Sequence, residues 1–244
     1  MKNIVLVKAK DYNDLSVKAA RIFAGSVIAN PTGSFGFATG STPIGMYKEL
    51  VRLHNEDVVV FSGITAFNLD EYYPISATNN QSYSYYMATN FYDSVSLPIE
   101  QRHIPFGEAT DLKAECEAYE ELLNTKSPID MLILGIGSNG HIGFNEPSDT
   151  FPGKTHPVKL AESTIKSNIK FFSNPENMPR MAITMGIGSI LMANRILLLA
   201  SGESKAEILR DALTGPITPL VPASALQLHK DVTVVVDESA AKFL

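Results

Sequence analysis

The segment Met131-Leu132-Ile133-Leu134-Gly135-Ile136-Gly137-Ser138-Asn139-Gly140-His141-Ile142-Gly143-Phe144-Asn145-Glu146-Pro147 supports two different readings. Its first residues, Met131–Gly135, form a short apolar run with no polar face, as in a strand covered on both sides. Gly135 to Gly140 then matches G-x-G-x-x-G literally. A dinucleotide site also requires a helix opening at the third glycine. Gly143 and Pro147 come too soon after Gly140 for that helix, so no nucleotide cofactor is expected. The glycines instead let the backbone bend so that Asn139, His141 and Glu146 converge. A histidine beside a carboxylate can be held in one tautomer with a tuned pKa, which is a proton-transfer arrangement. The plainer alternative is a buried histidine bonded to its own loop.

Working outward, further apolar runs read as strands at Ile4–Val7, Ser34–Ala38, Ile64–Leu69, Ala182–Met185, Arg195–Ala200 and Val232–Val236. Between them lie helical spacings over Tyr12–Ile28, Thr42–Leu53, Leu112–Leu123 and Ser204–Leu213. Such alternation implies right-handed crossovers and a doubly wound, mostly parallel sheet with helices on both faces, Rossmann-like. No composition break or internal repeat divides residues 1–244, so one domain is expected. The segment 147–179 departs from the pattern, with five prolines and few long apolar runs. It reads either as a lid over the site or as a surface excursion with a short helix of its own.

In open α/β sheets ligands sit at the carboxyl ends of the strands. Thr39-Gly40-Ser41-Thr42-Pro43 lies just past one such end, with Thr42 as N-cap and Pro43 as first helical residue. It reads as an anion site or as a plain capped turn. Asp70-Glu71-Tyr72 lies past another, where an acidic pair offers a general-base candidate, a helix cap or a solvated carboxylate. Ser201-Gly202-Glu203-Ser204-Lys205 lies past a third. Lys205 opens a helix, where a cation is unfavourable unless an anion is bound there or the lysine is simply solvated. Cys116 falls on a helical stripe with Leu112, Tyr119 and Leu123 and reads as core. The aromatic cluster Tyr83, Tyr85, Tyr86, Phe91 and Tyr92 reads as a packed helix. His54, His103, His156 and His229 read as structural or solvated.

Of the 244 residues, 45% are hydrophobic and 19% charged, which points to a folded globular chain. No apolar run reaches the ~20 residues of a membrane span. The single cysteine excludes an intrachain disulfide and a cysteine-built zinc site. The net charge of −6 disfavours nucleic acid and anionic membranes as partners. Met1 to Lys10 shows no signal-peptide pattern, and a cytoplasmic location is expected.

Together, Ala38-Thr39-Gly40-Ser41-Thr42-Pro43, Phe67-Asn68-Leu69-Asp70-Glu71-Tyr72, Gly137 to Pro147 and Ser204-Lys205-Ala206 resemble the glucosamine-6-phosphate deaminase family. The resemblance runs over nearly the whole chain. It implies conversion of glucosamine 6-phosphate and water to fructose 6-phosphate and ammonia, with no cofactor and no metal. By that resemblance His141 opens the sugar ring, Glu146 and the residue at position 139 orient and tune it, with Asn139 here orienting rather than tuning because an amide carries no charge, and Asp70 moves a proton from C2 to C1. Gly40, Ser41, Thr42 and Lys205 would grip the phosphate, joined by Lys170 from the lid. Lys170 stands where well-known members have arginine, and Asn139 where some have aspartate. Some larger members are hexamers activated by N-acetylglucosamine 6-phosphate. This chain has His156 and Val158 at the positions of their basic effector ligands and ends at Leu244 without their C-terminal extension. No such activation is therefore expected, and a monomer or small homo-oligomer is. The rival readings are a 6-phosphogluconolactonase and a non-catalytic sugar-phosphate sensor domain.

Overall fold

Every apolar run expected as a strand is one, and all but Ala182–Met185 join a single sheet. The computed structural model describes residues 3–126, 128–172 and 174–244. Its strands are β1 (Ile4–Ala9), β2 (Ser34–Phe37), β3 (Thr65–Asn68), β4 (Asp70–Tyr73), β5 (Arg102–His103), β6 (Met131–Gly135), β7 (His156–Lys159), β8 (Met181–Thr184), β9 (Ile196–Ala200) and β10 (Val232–Asp237). Its α-helices are α1 (Tyr12–Ala29), α2 (Ile44–Asn55), α3 (Tyr83–Met87), α4 (Leu112–Lys126), α5 (Glu162–Asn168), α6 (Ile187–Leu191) and α7 (Ala206–Thr214).

The main sheet has seven strands in the order β1-β10-β9-β6-β2-β3-β5. All its neighbours are parallel. From β2 the chain steps outward through β3 and β5, whereas from β6 it steps the other way through β9 and β10. The order therefore reverses between β2 and β6, and that is where such sheets hold ligands. The pairing of β2 with β6 ends at Gly36↔Leu132, while β6 continues along β9 to Gly135↔Leu199. The carboxyl ends of β2 and β6 are thus free to separate. Gly36 makes their close approach feasible lower down, because a Cβ there would come 1.9 Å from Leu132 Cδ1.

Strands β6, β9 and β10 are buried on both faces, which is why they read as largely apolar runs. Helix α1 is capped by Asp11, whose side chain accepts the Asp14 N–H. It buries Leu15, Ala19, Phe23 and Val27, and the Phe23 ring meets Phe35 and Phe37 at 5.4 and 5.3 Å. Helix α2 begins at Ile44, after Pro43, and no side chain caps it. The expected Thr42 cap is not formed: the helix starts one residue later, with Pro43 at the cap position and its carbonyl accepting the Tyr47 N–H.

A second sheet of three antiparallel strands runs β4-β8-β7. It takes up Ala182–Met185 and also Asp70-Glu71-Tyr72, expected only as a strand end. Its own small core holds Tyr72, Phe144, Leu160, Ile165, Phe172, Met178 and Ala182. Segment 147–179 thus carries β7 and α5 and has an apolar anchor of its own. Among the described residues no helix is long and apolar enough to cross a membrane.

Candidate active site

The loops after β2, β3, β6 and β9 meet around one cavity of about 470 Å³. Asp70, His141, Gly40, Ser41, Thr42, Lys170 and Lys205 all line it. Asn139 and Glu146 do not; they stand behind His141.

The loop after β6 is shaped by glycine at two points. Gly137 lies under the imidazole: a Cβ there would sit 2.2 to 2.4 Å from the His141 ring atoms. Gly143 has φ +57, and a Cβ on it would come 2.9 Å from Thr184 Oγ1 and 3.4 Å from Asp70 Oδ2. That close approach brings the His141 loop onto the strand carrying Asp70. The Asn139 amide N–H donates to Glu146 Oε2 at 2.8 Å, which turns its oxygen toward His141 Nδ1 at 2.7 Å. An amide oxygen is only an acceptor, so Nδ1 carries the hydrogen and Nε2 is the nitrogen left for chemistry. Glu146 Oε2 lies 3.4 Å from the same Nδ1. Burial pushes the Glu146 carboxyl up. Hydrogen bonds from His141, Thr164 and Asn139 and the charge of His141 outweigh that and hold it at about 2.

Asp70 begins β4 and is buried. Burial pushes its carboxyl well above the usual range, and the neighbouring Glu71 charge adds to this. Among the described residues no protein donor offsets either effect. Glu71 points the other way. It accepts the N–H groups of Tyr72, Tyr83 and Ser84 and the Ser84 hydroxyl, and so caps α3. Burial still raises its carboxyl, though these donors oppose the rise.

Two strand-end loops, one of them carrying Lys205, also line the cavity. One is Thr39–Thr42, with Gly40 at φ +96. The other is Ser201–Lys205, held from below by Asp237. That carboxylate accepts the Ser201 hydroxyl at 2.5 Å and the N–H groups of Gly202 and Ala240. Lys205 ends a 3-10 turn and precedes α7. Burial lowers its ammonium below the usual lysine range, a cost that an anion in the cavity would offset.

Several lining residues carry no signal of their role in the sequence. Tyr83, expected as helix packing, stacks on Phe144 at 5.8 Å and forms part of the wall. Ser201 and Ser204 belong to a strand end that the sequence does mark. Thr164, Ser167 and Asn168 come from α5, whose isolated sequence carries no chemical signal. This helix docks on the histidine network directly: Thr164 donates to Glu146 Oε1 at 2.5 Å, and the Ala161 N–H at 3.2 Å.

A family model described as glucosamine-6-phosphate isomerases/6-phosphogluconolactonase matches residues 15–235. The chain is 49% identical over 235 residues to the glucosamine-6-phosphate deaminase of Clostridioides difficile (strain 630), covering 96% of this chain and 94% of that protein. It superposes on a solved monomeric glucosamine-6-phosphate deaminase with a TM-score of 0.95 and 44% identity, covering 98% of this chain and 100% of that one. A 6-phosphogluconolactonase from Thermotoga maritima shares the fold at a TM-score of 0.74 and 20% identity, covering 96% of this chain and 100% of that one. A cavity at the switch point of the sheet, ringed by the expected strand-end residues, agrees with these likenesses, and the chain belongs to the glucosamine-6-phosphate isomerase/6-phosphogluconolactonase family.

Proposed function

We propose that this protein converts glucosamine 6-phosphate and water to fructose 6-phosphate and ammonia. The observation that carries this reading is a single cavity lined by a buried carboxylate, an oriented imidazole, a glycine-containing strand-end loop and Lys205. Its 49% identity to a named deaminase supports the same reaction.

The phosphate rests on the N–H groups and hydroxyls of Gly40, Ser41 and Thr42, with Lys205 and Lys170 supplying charge. His141 Nε2 takes the proton from the C1 hydroxyl and returns it to the ring oxygen, which opens the sugar. Asn139 and Glu146 keep Nδ1 protonated throughout, so the same nitrogen serves as base and acid. Asp70 then removes the C2 proton to give an enol-type intermediate and delivers a proton to C1. The imine left at C2 adds water and releases ammonia, giving the ketose. A raised carboxyl pKa suits this shuttle, because the base is stronger and its protonated form is held at the carbon it must serve. Positioned proton transfer contributes ~10²–10⁴-fold per group; orientation by the phosphate grip supplies much of the rest.

Segment 147–179 acts as the lid. It brings Thr164, Ser167, Asn168 and Lys170 to the cavity wall, and its helix rests on Glu146. The protein works in the cytoplasm as a monomer or small oligomer, without activation by an N-acetylated sugar phosphate. The test is an assay following ammonia and fructose 6-phosphate together. Equal release of both from glucosamine 6-phosphate supports the reading. Hydrolysis of 6-phosphogluconolactone without ammonia release assigns the site to the lactonase reaction instead.

A further inference from the structure

The carbonyl groups of Ala38, Gly40, Ser41 and Thr42, in and beside the loop after β2, are held from outside the cavity by tyrosines. The Tyr86 hydroxyl donates to the Gly40 carbonyl at 2.7 Å. The Tyr12 hydroxyl lies 3.2 and 3.1 Å from the carbonyls of Ser41 and Thr42, and accepts the Gly45 N–H at 2.8 Å. The buried Tyr47 donates to the Ala38 carbonyl at 2.5 Å. None of these three tyrosines lines the cavity.

A trans peptide is planar, and its C=O and N–H point in opposite directions. The peptides of this loop are trans. A Gly40 carbonyl drawn outward to Tyr86 therefore turns the Ser41 N–H inward. A Ser41 carbonyl drawn toward Tyr12 turns the Thr42 N–H inward in the same way. The Thr42–Pro43 peptide has no N–H to offer, and only its carbonyl is held. Among the described residues the N–H groups of Ser41 and Thr42 meet no protein acceptor. Gly40, at φ +96, is where such a loop is free to rotate its peptides. A rotated peptide would aim a carbonyl oxygen at the anion and repel it.

We infer that Tyr12 and Tyr86 are positioning residues for phosphate recognition, fixing the loop with its N–H groups toward the cavity. This rests on the proposed phosphate-binding reading of the site. Tyr86 also lies on α3, whose N-terminus is capped by Glu71 beside Asp70, so one short helix joins the anion loop to the strand carrying the proposed base.

The test compares wild type with Tyr86→Phe and Tyr12→Phe, which keep the rings and remove only the hydroxyls. Inorganic phosphate is the probe, as a competitive inhibitor, alongside KM, kcat and the melting temperature. Each variant should raise the inhibition constant about fivefold, the scale of one net hydrogen bond. KM should rise in step and kcat change less. An inhibition constant within twofold of wild type in both variants overturns the inference. So does a parallel fall of kcat and melting temperature with phosphate affinity kept, since that marks a merely structural role. Failure of phosphate to inhibit the wild type removes the anion site itself, and the phosphate-binding reading along with it.

Discussion

Asn139 Oδ1 lies 2.7 Å from His141 Nδ1. The other end of the same carboxamide donates to Glu146, so its orientation is set by a group that can only accept. Asn139→Leu keeps the volume and removes these hydrogen bonds, together with those to the His141 N–H and the Ser163 hydroxyl. Steady-state kinetics should show kcat reduced roughly tenfold or more, with KM little changed, because proton transfer and not binding is affected. A rise in KM at constant kcat would place Asn139 in binding.

Gly137 is required by the histidine ring and not by its own dihedrals. A methyl there overlaps the imidazole at 2.2 to 2.4 Å. Gly137→Ala should displace His141 and lower kcat on the order of a hundredfold, the scale of one positioned proton-transfer group. Phosphate inhibition should stay near wild type, since the anion loops are elsewhere. Near-normal turnover would show that the ring has room to move.

Asp70 and Glu146 should pull stability in opposite directions. Burial gives folded Asp70 a pKa above its unfolded value, so the folded state holds that proton more tightly. Stability is then lost as pH rises from the unfolded pKa through the folded one, and above the ordinary carboxylate range the buried carboxyl is a cost. Glu146 is held down at about 2, so its contribution is present above the ordinary carboxylate value and is lost as pH falls toward 2. In thermal melts at neutral pH, Asp70→Asn should melt a few degrees higher than wild type and Glu146→Gln lower. The Glu146→Gln deficit should shrink in acid. The reverse order would contradict the assigned charges.

Lys205 should matter to binding more than to chemistry. Lys205→Ala removes the charged partner proposed for the phosphate and should raise KM roughly tenfold or more. An unchanged KM, measured with glucosamine 6-phosphate, would make Lys205 a partly buried surface lysine only.

Much of the main sheet is legible in the sequence because its strands are covered on both faces, and Met131–Gly135 and Ile196–Ala200 are apolar at every position or nearly so. The second sheet is hidden. His156–Lys159 alternates half-buried and exposed residues over only four positions and includes a proline, so it carries no strand signal. Arg102–His103 is two residues long, too short to carry one. In the site, strand ends point to Asp70, His141 and the anion loops because sheet topology brings such ends together. The glycines after β6 are bends, as their spacing indicates, but the need for Gly137 beneath the ring depends on His141 folding back, which spacing does not reveal. The contacts of Thr164 with Glu146, and of Tyr86 with Gly40, join segments distant in the chain. They arise from packing alone.

The central claim is that the buried carboxylate of Asp70 moves the C2 proton in a cavity it shares with His141. The most direct measurement is turnover and substrate binding by Asp70→Asn, read as ammonia and fructose 6-phosphate release beside equilibrium binding of glucosamine 6-phosphate. Binding should stay within a few-fold of wild type, and turnover should fall by ~10² or more. Turnover close to wild type in a folded Asp70→Asn protein would contradict that role.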